Sequence, residues 1–79
     1  MRELDLIELE RDWPYHIALP AAVLRSASEA VYAFIRPLSV APRPWHFRRN
    51  ERDFVVFCFA RPQDAQAFAE RFGAKVLPR

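Results

Sequence analysis

Residues 52–59 read RDFVVFCF, and the organisation of the chain follows from how this run is covered. Side chains alternate along a strand, so Phe54, Val56 and Cys58 face one way and Val55, Phe57 and Phe59 the other. Both sets are apolar. An antiparallel strand with one wet face alternates apolar with polar residues. This run does not, so it is expected to be a central strand, packed under helices on one side and against something else on the other.

Upstream, PWHFRR (44–49) is a second β-type run, joined to the first through RNER (49–52). The two make a hairpin. A two- or four-residue turn pairs Phe47 with Phe54 and Trp45 with Val56. Trp45, Phe47, Phe54, Val56 and Cys58 then share one face, and His46, Arg48, Val55, Phe57 and Phe59 the other. A three-residue turn swaps the partners. Either way one sheet face keeps aromatic surface.

Downstream, Pro62 suits a first helical position and Asp64 a first turn. Ala65, Phe68, Ala69 and Phe72 form one apolar stripe, and Gly73 closes the helix in the left-handed region. The pattern predicts a helix over 62–72. A first helix is predicted over about 21–35, between Pro20 and Pro37, with Val23, Leu24, Ala27, Val31, Phe34 and Ile35 buried and Ser26, Glu29 and Arg36 outward. WPYHIAL (13–19) has strand composition, PLSVAPRP (37–44) is a proline-stiffened loop without regular structure, and AKVLP (74–78) is a short last strand. The order strand, helix, strand, strand, helix, strand is the split β-α-β pattern of an α+β, ferredoxin-like fold: a four-stranded antiparallel sheet with two helices on one face. Residues 13–79 make that single domain. Residues 1–12 are an acidic arm or an added edge strand.

Seventy-nine residues make one domain, which buries only about 60% of the surface of its unfolded chain. Seven Phe, two Trp and two Tyr are many for so small a core, so part of this surface is expected to meet a partner. One glycine leaves no phosphate-wrapping loop, and no segment approaches the roughly 20 apolar residues of a membrane span. The lone Cys58 forms no internal disulfide. The acidic start is unlike a signal peptide, so a reducing cytoplasm is the expected location.

The net charge is only +2, but it is unevenly spread. Residues 1–12 carry a net of −3, with Glu3, Asp5, Glu8, Glu10 and Asp12 against two arginines. Residues 36–52 carry +4, with Arg36, Arg43, Arg48, Arg49 and Arg52 against Glu51. The acidic segment is therefore expected to lie against the basic one, in the same chain or a neighbour. Arginine suits bidentate pairing with phosphate or carboxylate. Arginine richness is also what a GC-rich coding sequence produces.

The chain order and RDFVVFCF resemble the RNA-recognition motif, whose strand signature Arg52, Phe54, Phe57 and Phe59 match in kind. Asp53 and Val55 stand where that family carries small residues, and Val56 replaces a stacking aromatic, an interaction of roughly 1–3 kcal/mol per base. The family's first strand carries another stacking aromatic, for which Tyr15 is the candidate. Other classes of the fold fit less well. A metal carrier needs a Cys-x-x-Cys pair, and the acylphosphatase and amino-acid-sensing classes use glycine where this chain has ALPAAV (18–23). DAQAFAERFG (64–73) resembles segments of small bacterial proteins, a likeness that carries no function.

His16, His46 and Cys58 are the candidate metal or nucleophile set, but in the two-residue-turn register His46 and Cys58 lie on opposite faces. No metal, cofactor, membrane partner or catalytic residue is expected. The leading expectation is a non-enzymatic interaction module that pairs with itself or another protein through its open face. The alternative is single-stranded nucleic-acid binding by Arg43, Trp45, Phe47, Arg48, Arg49, Arg52, Phe54 and Val56. A small-ligand role at a dimer cleft comes third.

Overall fold

A computed structural model describes residues 11–78. Strand β1 (Tyr15–Pro20) leads into two short helices, α1 (Ala21–Ser26) and α2 (Ser28–Ile35). A loop then reaches the hairpin β2 (Trp45–Arg49) and β3 (Arg52–Phe59), followed by helix α3 (Pro62–Phe72) and the two-residue β4 (Lys75–Val76). The sheet order is β2-β3-β1-β4, with each neighbouring pair antiparallel. Each β-α-β unit leaves one slot between its two strands, and the other unit fills it. This is the α+β, ferredoxin-like arrangement expected from the order of elements. The expectation placed on residues 1–12, an acidic arm or edge strand against the basic segment, lies outside the described residues except at Arg11 and Asp12, which are exposed, helical rather than extended, and paired with each other at 3.1 Å.

The two-sided cover of β3 is observed. Val55, Val56, Phe57, Cys58 and Phe59 are all buried. On one side Ile17, Leu19, Val55, Phe57 and Phe59 pack with Val31 and Ile35 of α2 and Ala65 and Phe68 of α3. Phe68 is the hub of this layer, with ring centroids 5.3 Å from Phe57, 5.4 Å from Phe59 and 5.2 Å from Phe72. On the other side Val56, Cys58 and Ala18 lie beneath Ala41, Trp13, Trp45, Phe47, Phe54 and Leu77.

The hairpin turn has two residues. Asn50 and Glu51 both sit at positive φ, 52° and 62°, and Arg49 pairs with Arg52. Positive φ at both central residues is the mirror-image turn whose twist matches paired strands. It fixes the register that sets Phe47 opposite Phe54 and Trp45 opposite Val56.

Helix α3 spans the predicted 62–72 and ends on Gly73 at φ 61°. The first helix does not run unbroken over 21–35. Ala27, at φ −134° and ψ 30°, divides it. The Ser26 hydroxyl donates to Val23 O at 3.1 Å, the kind of side-chain bond that competes with helix propagation. The bend turns Val31 and Ile35 into the core and leaves Val23, expected inside, 37% exposed.

The loop before β2 is also more ordered in its bonding than its prolines imply. Val40 forms a bridge with Phe59, Ala41 N–H donates to Cys58 O at 2.7 Å, and Ala60 N–H donates to Ser39 O at 2.9 Å. Residues 39–41 thus continue the edge that β2 begins, interrupted by Pro42 and Pro44, which have no N–H to give. A side-chain clasp holds this segment. Ser39 donates to Asp64 Oδ2 from its N–H at 2.9 Å and its hydroxyl at 2.7 Å, while Arg61 N–H donates to Ser39 Oγ at 3.1 Å. Helix α3 has no cap from its own N-cap side chain. Ser39 meets its first turn from a distant part of the chain, in the manner of a capping box.

Two outcomes are expected. Phe57→Ala should destabilise the fold by about 3–5 kcal/mol, as truncating a buried aromatic does, which denaturant unfolding would measure. An unchanged midpoint would overturn the assignment of Phe57 to the core. The second concerns Asp64, whose carboxyl is held below its ordinary value of 3.8, first by the Ser39 hydroxyl and then by the Ser39 N–H. A depressed carboxyl contributes stability above its unfolded pKa and loses it as pH falls through the folded one. Asp64→Asn should therefore lower the melting temperature at neutral pH, with the gap to wild type closing in acid. A gap independent of pH would count against the clasp.

Candidate functional site: the open face of the sheet

The face away from the helices carries its aromatics on the hairpin. Trp45 and Phe47 on β2 and Phe54 on β3 follow one another, with centroids 5.6 Å apart at 39° for Trp45–Phe47 and 5.0 Å apart at 12° for Phe47–Phe54. Near-parallel rings this close overlap face to face instead of lying side by side on the sheet. The Arg49 guanidinium lies over the Phe47 ring, 5.8 Å from its centroid. All three rings are half-buried. Val56, expected to share in binding, is fully buried beneath them and forms the floor of the face.

The arginines divide between two sides. Alternation from Phe47 and Phe54 sets Arg49 and Arg52 on the aromatic face and Arg48 on the other. There Arg48 meets Asp53 at 3.8 Å, both well exposed. Arg43 is exposed in the loop between Pro42 and Pro44.

Strand β1 places its residues differently from the sequence expectation. Tyr15 pairs with Phe59 and packs into the helix-side layer, so it offers no ring on the open face. His16 occupies that face instead, directly opposite Cys58, with its ring edge-on to Trp45 at 5.9 Å. Of the set His16, His46 and Cys58, the fold brings His16 and Cys58 together and leaves His46 apart, exposed on β2. Once the pairing of β1 with β3 is known, period-two alternation gives His16 its place. The sequence offers no signal for that pairing beyond the order of elements.

His16 Nε2 and Trp45 Nε1 are both buried without a good hydrogen bond. Burial pushes the Cys58 thiol up to about 11, an effect the Trp45 indole partly offsets. Only the thiolate is an effective nucleophile or metal ligand. Buried and shifted toward its protonated form, the Cys58 thiol contributes packing to this face beside the His16 ring. Among the described residues no group of three or more His, Cys, Asp or Glu side chains is placed to hold a metal ion, and no helix is long and apolar enough to cross a membrane.

No family model, curated protein or solved structure matches the chain.

Cys58 gives a direct check on this face. Its folded pKa of about 11 exceeds the ordinary 9.0, so between those values the unfolded chain ionises first and stability should fall as pH rises. A thiol reagent at neutral pH should modify the protein only at the rate of opening, and quickly in denaturant. Rapid stoichiometric labelling of the native chain would show the thiol to be open.

Proposed function

We propose that the protein is a small non-enzymatic interaction module that binds another protein through the open face of its sheet, most simply a second copy of itself. The observation that carries this reading is the continuous row Trp45, Phe47 and Phe54 on the side that α1, α2 and α3 leave uncovered. Aromatic residues and arginine are the side chains enriched where protein interfaces bury their core, and all are gathered here. The thiol that could have argued for chemistry is buried and held protonated.

A second reading, single-stranded nucleic-acid binding, is favoured by Arg49 and Arg52 sharing the face with Phe47 and Phe54. Stacking a base needs a ring face open to it. The Phe47 and Phe54 faces overlap each other, and Arg49 approaches Phe47 as well, so the protein-binding reading has the stronger support.

Sedimentation equilibrium tests the self-pairing form. The wild-type chain should pass from monomer to dimer with concentration, and Phe47→Asp should stay monomeric while its circular dichroism is unchanged. A wild-type chain that is monomeric at its highest attainable concentration retires self-pairing. Association that survives Phe47→Asp moves the interface elsewhere.

A further inference from the structure

Arg49 and Arg52 stand directly opposite each other on the last rung before the turn. Like charges in this position on an antiparallel pair are destabilising. The tight turn at Asn50 and Glu51 leaves the strands no room to part. The neighbouring rung is matched in charge, Arg48 with Asp53. Among the described residues no ion pair joins Arg49 or Arg52 to an acid. The same corner holds a second unfilled capacity. Strand β2 is the outer strand of the sheet, so its far edge is an unpaired row of N–H and C=O groups among the described residues.

We infer that the free edge of β2 and the Arg49–Arg52 doublet form one docking site for an extended, acidic segment of a partner protein. The segment adds as a strand beside β2, where main-chain hydrogen bonds supply affinity. Its apolar side chains lie toward Trp45 and Phe47. Its carboxylates meet the two guanidinium groups, whose planar forks suit carboxylate oxygens. The inference rests on the protein-binding reading of the open face and names the chemistry of the partner.

The observations favour a peptide over a nucleic acid. Nucleic-acid affinity is built mainly from many phosphate contacts. Only two of the hairpin's arginines share this face, because alternation sends Arg48 to the opposite side, where it meets Asp53. A strand-like peptide needs no open ring face and uses the edge that a nucleic acid would leave idle.

The test is fluorescence anisotropy with the full chain, at concentrations below those where sedimentation detects pairs. The probes are a short labelled peptide with leucine at two alternate positions, aspartate at the next two alternate positions and threonine between them, so that all four lie on one strand face, its counterpart with asparagine for aspartate, and single-stranded RNA and DNA. The acidic peptide should bind saturably and slow amide exchange along 45–49. The asparagine peptide, or the Arg49→Gln/Arg52→Gln variant, should weaken binding by about tenfold or more, the effect of losing about 1.4 kcal/mol. Arg48→Gln should leave it nearly unchanged. Equal binding of the neutral peptide, tighter binding of an oligonucleotide, or no peptide binding at all would overturn the inference. So would a double variant that associates more strongly with itself, since the arginines would then merely guard the edge. If the peptide fails while concentration-dependent pairing persists, the acidic-partner inference falls and the open-face reading stands.

Discussion

Strand β3 needs apolar cover on both faces, and the rest of the structure is arranged to provide it. A strand whose two sides are both apolar leaves several large side chains in water unless each side finds a layer. Helices α2 and α3 supply one layer, with Phe68 at its centre. Among the described residues no helix packs on the other. Trp45 and Phe47 of the neighbouring strand, Ala41 from the loop, Trp13 and Leu77 close over Val56 and Cys58 instead. Among the described residues the second layer is therefore one side chain thick, and its outer surface is aromatic. This aromatic surface is a consequence of how the core is completed.

That second layer depends on the loop 36–44 being held in place. Three prolines remove donors that a longer edge strand would use, and the chain compensates at two points. Main-chain bonds tie residues 39–41 to the end of β3, and the Ser39–Asp64 clasp ties the same residues to the first turn of α3. Ser39 thereby links the two layers, since Ala41 covers the floor of the open face while Asp64 belongs to the helix that covers the opposite one.

The chemistry of the open face follows from its depth. Cys58 lies at the floor, where water is excluded and the thiolate is disfavoured. His16 and Trp45 stand above it with ring nitrogens that lack good hydrogen bonds. Among the described residues charge stands at the turn, where Arg49 and Arg52 flank the outer end of the aromatic row, and at the opposite edge of the sheet, where Lys75 pairs with Ala18. An apolar row with a basic end has a direction, which a partner with its own charge pattern can match.

Much of this was legible in the sequence because it rests on local periodicity. Pro62, the Ala65–Phe68–Ala69–Phe72 stripe and Gly73 set the limits of α3, and the unbroken 54–59 run marked β3 as central before any contact was known. The sequence alone also fixed which residues share a face within one strand, since alternation is geometric. Other features were not legible because they depend on groups meeting across the fold. The bend at Ala27 occurs at an alanine, a good helix former, and expresses how α1 and α2 must each meet the sheet. The turn length, and so the pairing of Phe47 with Phe54, required Glu51 to accept a positive φ that its type disfavours. The place of His16 opposite Cys58, the loss of Tyr15 to the helix side, and the Ser39–Asp64 clasp across 25 positions of chain were decided by the tertiary structure alone. Periodicity assigns a side chain to a face of its own element, whereas the pairing of elements decides which faces meet.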